Sequence, residues 1–262
     1  MQAMQELSLL VVSAAPGYGK SCIGRELAKL CGRKSYSISI PSGLSEERQL
    51  WQLISSQLSA QGFPNASDLP EFGEQVEPVL LRNLLQHWKE CSEQYPVLLL
   101  IDDYQRAPGQ NLDLIIEAVA RERIPNLCVV VLTRERPNVH LEDLKIKGLA
   151  AYFDQELLRF TREEAVELFQ LNDVVGLQPV EEAWRISEGW AAVLCMSLSS
   201  YISDNTIEAT VAIDKFIAET FLNDYSEKEQ TTLLRLAALD SFTLEQGVFM
   251  LNVPDAAFRI RN

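Results

Sequence analysis

Ala14-Ala15-Pro16-Gly17-Tyr18-Gly19-Lys20-Ser21 is the stretch that decides the fold of this chain. An apolar run over residues 7–13 precedes it and predicts a strand, and residues 20–31 carry apolar side chains at helical spacing. A strand, a glycine-containing turn and a helix that opens with Lys-Ser are the context that a phosphate-binding loop requires. A glycine-rich turn without a ligand is the alternative, and the flanking strand and helix argue against it.

The chemistry of this loop follows from its backbone. Gly17 and Gly19 allow the chain to bend until several N–H groups face inward, and the start of the next helix adds its own N–H groups and positive dipole end. We expect Lys20 to reach the β- and γ-phosphates and the Ser21 hydroxyl to bind Mg²⁺. Ala14 stands where the motif usually has Gly. The predicted nucleotide contacts in the loop are Ala15, Pro16, Gly17, Tyr18, Gly19, Lys20, Ser21 and Cys22.

Composition excludes several classes of function. The chain has 262 residues and a net charge of −14, from 37 acidic and 23 basic side chains, which argues against a general grip on nucleic acid or an anionic membrane. Its five cysteines are scattered, as expected in a reducing cytosol. His87 and His140 are the two histidines of the sequence and are far apart in it, which argues against a histidine-based metal site or catalytic triad. Without a signal peptide or a membrane-length apolar run, the sequence predicts a soluble, cytoplasmic protein with no membrane partner.

Periodicity predicts an α/β fold, a P-loop NTPase with a parallel sheet flanked by helices, followed by helical domains. We expect strands at residues 7–13, 34–40, 97–103 and 128–133, a weaker strand near 151–158, and helices at 20–31, 46–62, 76–91 and 112–123. From about residue 160 only helical patterns remain, and Thr161 with Glu164 predicts a capping box. The predicted domains are a nucleotide-binding domain at 1–158, a helical lid at 159–205, and the start of a winged-helix-like domain at 206–262 that we expect to continue beyond Asn262.

Two acidic residues end the aliphatic run of residues 97–101. Asp102 closes a Walker B pattern, which places a carboxylate at the carboxyl edge of a sheet, where it can bind Mg²⁺ directly or through water. Asp103 stands where hydrolysing relatives usually carry Glu, and its shorter side chain predicts slow hydrolysis. Two solvated acids at a strand terminus are the alternative. We take Asp103 and Lys20 as the candidate catalytic residues, and Ser21 and Asp102 as the candidate metal ligands.

Polar residues also end the run at 128–132. If that strand lies between the loop strand and the Asp102 strand, Thr133 and Arg134 come beside the γ-phosphate and could distinguish triphosphate from diphosphate. A strand that simply ends in polar residues fits the spacing equally well.

The motif order resembles the ATPase core of MalT-like transcriptional regulators, which are LuxR-type members of the STAND class of signalling NTPases. The residues that carry the resemblance are the phosphate loop, Leu-Leu-Ile-Asp-Asp-Tyr (99–104), Val-Leu-Thr-Arg (131–134), Leu-Arg-Phe-Thr-Arg-Glu-Glu-Ala (158–165) and Ser-Glu-Gly-Trp-Ala-Ala (187–192). At two positions the chain departs from many relatives: Gln105 stands in place of His, and Ala191 in place of a Pro.

The resemblance implies a nucleotide switch with a resting ADP state, an ATP state that self-associates, and weak hydrolysis. It implies that Gly189 and Trp190 contact the base or diphosphate, and that DNA is bound only through a C-terminal domain not present in this chain. A conventional P-loop ATPase or small-molecule kinase is the first alternative. A P-loop scaffold that has lost its nucleotide is the second.

Overall fold

A computed structural model describes residues 7–207, 210–222, 227–237, 241 and 243–251. Its strands are β1 Leu9–Ser13, β2 Lys34–Ser39, β3 Val97–Asp102, β4 Leu127–Thr133 and β5 Ala150–Phe153. Its α-helices are α1 Lys20–Leu30, α2 Glu47–Ala60, α3 Pro78–Gln94, α4 Asn111–Glu122, α5 Leu141–Ile146, α6 Arg162–Gln170, α7 Leu177–Ser187, α8 Ala191–Asp204, α9 Thr210–Ile217, α10 Glu227–Leu236 and α11 Leu244–Leu251.

The five strands form one parallel sheet in the order β2-β3-β4-β1-β5. In β1, Leu9 is in register with Val129 of β4 on one side and with Ala150 of β5 on the other. Helices connect successive parallel strands, because such strands cannot be joined by tight hairpins. The predicted parallel sheet flanked by helices, followed by a helical region, is confirmed.

Each face of the sheet has its own helical cover. Leu9 and Val11 of β1 belong to the core that α2, α3 and α4 cover, whereas Leu10 and Val12 face the layer formed by α1. β1 and β4 are buried along their whole length because both of their faces are covered. Their continuous aliphatic runs made these strands predictable from the sequence.

The edge strand β5 is shorter than expected. It ends at Phe153, and residues 156–158 form a short 3₁₀ turn instead of continuing the strand. Asp154 explains the difference, because its carboxylate Oδ1 accepts a hydrogen bond from the Leu157 N–H at 3.3 Å and so starts the turn.

The helical segment begins as the sequence predicts. Thr161 Oγ1 accepts a hydrogen bond from the Glu164 N–H at 3.2 Å, and the Glu164 carboxylate accepts one from the Thr161 N–H at 2.8 Å. The predicted capping box is therefore confirmed. After α9 the chain continues as a π-helical turn, Ala218–Leu222.

The chain divides into two compact units, residues 1–194 and 195–262. In the second unit, Leu236 of α10 packs with Val248 and Leu251 of α11. The predicted division into three domains, with boundaries near 158 and 206, stays a prediction. The winged-helix character of the last segment is also a prediction. Within the described residues, no helix combines the length and the apolar character needed to cross a membrane.

Candidate nucleotide-binding site

The loop between β1 and α1 has the backbone conformation that its glycines allow. Gly17 and Gly19 have φ values of 80° and 79°, in the left-handed region where a side chain is unfavourable. Gly19 caps α1 without a side-chain hydrogen bond, and the first turn of the helix holds no acidic residue. The N–H groups of that turn, with Ser21 and Cys22 exposed on it, are therefore open to an anion.

Lys20 lies inside the curve of this loop. Its Nζ donates hydrogen bonds to the carbonyl oxygens of Ala14 and Ala15, at 2.7 and 3.0 Å. Burial and, to a smaller extent, the charge of Arg134 lower the pKa of Lys20, and the charges of Asp102 and Asp103 oppose them, so that the pKa is about 8. Three separate sequence motifs thus place their charged groups within electrostatic reach of one ammonium group.

The two acids at the end of β3, Asp102 as its last residue and Asp103 directly after it, have different surroundings. Asp102 Oδ1 accepts a hydrogen bond from the Asp103 N–H at 2.9 Å. Asp103 has a left-handed backbone, with φ of 55°, and both of its carboxylate oxygens are engaged. Oδ2 pairs with Arg106 at 3.0 Å, and Oδ1 accepts from the Gln105 amide at 3.1 Å.

β4 lies between β1 and β3, which is the arrangement that the hypothesis for Thr133 and Arg134 requires. Thr133 is 1 % exposed, and its hydroxyl donates to the Glu135 carbonyl oxygen at 2.8 Å and accepts from the Glu135 N–H at 3.2 Å. This hydroxyl closes its own turn, so the geometry favours Arg134 over Thr133 as a phosphate contact. A nucleotide contact at either residue stays a prediction.

The Gly189–Trp190 turn meets the loop directly. Trp190 Nε1 donates to the Pro16 carbonyl oxygen at 3.1 Å, and its ring stacks on Tyr18 with centroids 6.0 Å apart. The Ala192 N–H donates to the Gly17 carbonyl oxygen at 2.9 Å. At Gly189, where φ is 80°, an added Cβ would lie 2.5 Å from a backbone oxygen, so this approach requires glycine.

Sequence reasoning missed two features of the site. The Gln155 side chain accepts a hydrogen bond from the Ala15 N–H at 3.1 Å, and no motif marks that residue. A cleft of about 320 Å³ also lies between the first turn of α1 and α6, and Arg159, Glu164 and Glu167 are its charged lining residues. Its apolar lining residues are Ile23, Leu157, Leu158, Phe160, Leu168 and Leu171.

The predicted metal ligands are chemically suited to Mg²⁺. The Ser21 hydroxyl and the Asp102 carboxylate supply oxygen, which this ion prefers. Among the described residues no group of three His, Cys, Asp or Glu side chains could hold a metal ion. Magnesium at this position would therefore depend on phosphate oxygens and water for its remaining ligands, as is usual for nucleotide sites.

Comparison with known proteins gives weak but extensive similarities. HTH-type transcriptional regulator AlkS of Ectopseudomonas oleovorans is 24 % identical over 242 residues, covering 89 % of this chain and 27 % of the relative. HTH-type transcriptional regulator MalT of Serratia proteamaculans (strain 568) is 23 % identical over 251 residues, covering 93 % of this chain and 26 % of the relative. The chain thus spans about a quarter of the length of these relatives.

Among solved structures, the Aeropyrum pernix ORC1 protein in complex with DNA aligns with 12 % identity and a TM-score of 0.46, over 94 % of this chain and 71 % of that one. The Thermotoga maritima RuvB Holliday junction branch migration motor aligns with 13 % identity and a TM-score of 0.46, over 95 % and 75 %. The family model described as AAA domain matches residues 4–135, which include the phosphate loop, Asp102 and Asp103, and the end of β4. The chain belongs to the AAA domain family.

Proposed function

We propose that this chain is the ATP- and ADP-binding part of a LuxR-type transcriptional regulator, and that it works as a switch with slow hydrolysis. The observation that carries the proposal is the strand order, which brings the loop after β1 with Lys20, Asp102 and Asp103 at the end of β3, and Arg134 after β4 to one edge of the sheet. Groups of both signs around one loop suit a charged ligand that arrives with a cation. The similarity to AlkS and MalT supports the regulatory context.

In this proposal the loop residues 15–22 hold the phosphates. Lys20 leaves the carbonyl oxygens of Ala14 and Ala15 to contact the β- and γ-phosphates, and Arg134 lies on the γ-phosphate side. Ser21 and Asp102 would hold Mg²⁺, which neutralises charge that develops on the phosphates. Asp103 orients the attacking water.

The base needs an apolar surface next to the loop. The cleft beside Ile23 and Phe160 offers one, because it borders the first turn of α1 that carries Ser21. Gly189 and Trp190 then enclose the loop from the helical side through the bond to Pro16 and the stack on Tyr18.

We infer slow hydrolysis from the short side chain of Asp103 and from the partner that its carboxylate already has. Its carboxylate has one methylene less than Glu and therefore less reach toward a water. Its Oδ2 is also engaged by the ion pair with Arg106, so a water must compete with the guanidinium for that oxygen. A long-lived triphosphate state suits a switch better than a motor.

The remaining parts of the proposal concern partners. We infer nucleotide-dependent self-association, a cytoplasmic location, and DNA binding through a region outside this chain. These inferences rest on relatives that are transcriptional regulators and about four times as long as this chain.

Equilibrium titration with ADP and ATP tests nucleotide binding. Lys20→Ala should weaken binding by about 10- to 100-fold, since a hydrogen bond to a charged group contributes about 1.5–3 kcal/mol. Lys29→Ala is the matched control, because Lys29 lies on the same helix and pairs with Glu26 at the surface. Equal affinity in wild type and Lys20→Ala would refute the proposal.

Steady-state turnover separates the alternatives. A rate above about one per second would favour a conventional ATPase or small-molecule kinase. A protein that binds neither nucleotide would be a P-loop scaffold that has lost its ligand.

A further inference from the structure

One side-chain amide bridges the ends of two neighbouring strands. Gln105, in the turn after β3, donates from Nε2 to Asp103 Oδ1 at 3.1 Å. Its Oε1 accepts a hydrogen bond from the Arg134 N–H, just past the end of β4, at 3.0 Å. Gln105 is half-buried, and its amide connects Asp103 to Arg134, which lies 29 residues after Gln105 in the chain.

The turn that carries this amide is held in place. Tyr104 is 6 % exposed, and its hydroxyl donates to Asp113 Oδ1 of α4 at 2.6 Å. The Arg106 and Ala107 N–H groups close the 3₁₀ turn onto the carbonyl oxygens of Asp103 and Tyr104, at 2.9 and 3.0 Å. Gln105 therefore extends from a fixed backbone, and its bridge does not depend on a mobile loop.

We propose that Gln105 is a positioning residue for ATP hydrolysis, which orients the Asp103 carboxylate and couples it to the end of β4. This inference rests on the proposed function, in which Asp103 orients water and Arg134 lies beside the γ-phosphate. A displacement of the Arg134 backbone when the third phosphate binds is transmitted through the amide to Asp103 Oδ1. ADP lacks that phosphate and leaves the bridge as it is.

The bridge requires one donor and one acceptor in the same side chain. Met matches the length of Gln but offers neither, and Glu has no donor and brings a second negative charge against Asp103. A neutral His in one tautomer offers an N–H and a lone pair, so it can make both bonds.

The full chain with Gln105→Met, Gln105→Glu or Gln105→His tests the inference by single-turnover ATP hydrolysis and ADP titration. For Gln105→Met we expect an ADP affinity within about twofold of wild type and a hydrolysis rate about tenfold lower, the effect of losing one well-placed hydrogen bond. Gln105→Glu should be at least as slow, whereas Gln105→His should retain more activity than either. Gln86→Met is the matched control, because Gln86 is exposed on α3 and its amide donates to Glu90 on the same helix.

Two outcomes would overturn the inference. One is wild-type hydrolysis by Gln105→Met; the other is an equal loss of ADP affinity and hydrolysis, which would indicate a purely structural role. If wild type binds ATP but does not measurably hydrolyse it, the ratio of ATP to ADP affinity replaces the rate, and a ratio unchanged in Gln105→Met counts against the bridge. Failure of the wild type itself to bind nucleotide would refute the proposed function first, and is seen without any Gln105 variant.

Discussion

Lys20 has a protonation equilibrium close to neutral pH. Burial brings its pKa down to about 8, so the side chain is charged below that pH and loses its charge as the pH rises above it. A neutral amine offers phosphate no charge, so nucleotide affinity should fall with rising pH. We expect the ADP dissociation constant to increase between pH 7 and 9, approaching about tenfold per pH unit above pH 8. Titration of ADP at a series of pH values measures this change.

The control for the pH dependence of Lys20 is a variant whose side chain stays positively charged over the whole pH range. Lys20→Arg keeps a guanidinium that stays protonated over the whole range, so its ADP affinity, whatever its absolute value, should vary little with pH. If wild type and Lys20→Arg show the same pH dependence, the effect arises from another group and the prediction is wrong.

At the scale of elements, the approach of α1 to the sheet depends on Gly24. A Cβ added there would lie 2.8 Å from Leu132 Cδ1 and 3.0 Å from Leu100 Cδ1, both in the buried layer. Gly24→Val should lower the free energy of unfolding by about 1–3 kcal/mol, because excess volume in a packed core forces side chains and backbone to move. ADP affinity should fall with it, since the N-terminal end of α1 moves away from the strand edge.

Urea unfolding of a matched variant isolates this steric effect. Arg25→Val introduces the same β-branched residue on the same helix, but Arg25 is exposed and its side chain donates to Cys22 Sγ on that helix. The free energy of unfolding of Arg25→Val should fall by about a few tenths of a kcal/mol, as expected from helix propensity. Equal losses in the two variants would show that the packing of α1 does not depend on glycine at position 24.

The sequence predicted most elements because their signals are local. The aliphatic runs of β3 and β4 and the Thr161–Glu164 capping box can each be read within a few residues. The contact of Gln155 with Ala15 and the bridge made by Gln105 could not be predicted, because each depends on strand order. The Thr133 hydroxyl was expected near phosphate, and only the geometry of the turn reveals that Glu135 engages it.

At the scale of the whole molecule, the phosphate loop is joined to a turn more than 170 residues away in sequence. The bond from Trp190 Nε1 to the Pro16 carbonyl oxygen spans 174 positions. Trp190→Phe keeps an aromatic ring for Tyr18 but removes this bond. We expect ADP to dissociate about fivefold faster from this variant, as for the loss of a hydrogen bond of about 1 kcal/mol, measured by stopped-flow displacement.

Trp184 provides the control for Trp190. Its Nε1 donates to the Phe160 carbonyl oxygen at 3.3 Å, a bond between residues of the helical segment. Trp184→Phe therefore removes an indole hydrogen bond without removing a contact to residues 16–18. Equal acceleration of ADP release in both variants would mean that the effect is general loosening rather than the contact with the loop.

The position of β1 in the sheet also governs when the protein can form its site during synthesis. Both neighbours of β1 come late, since β4 ends at Thr133 and β5 ends at Phe153. Pairings between strands this distant in sequence form slowly, because the entropy of closing a long loop is lost before the stabilising contacts between the strands have formed. On the ribosome, the first strand leaves the exit tunnel long before its partners, with an aliphatic edge that chaperones recognise. Nucleotide can therefore assist folding only after β5, which ends at Phe153, has emerged and paired with β1.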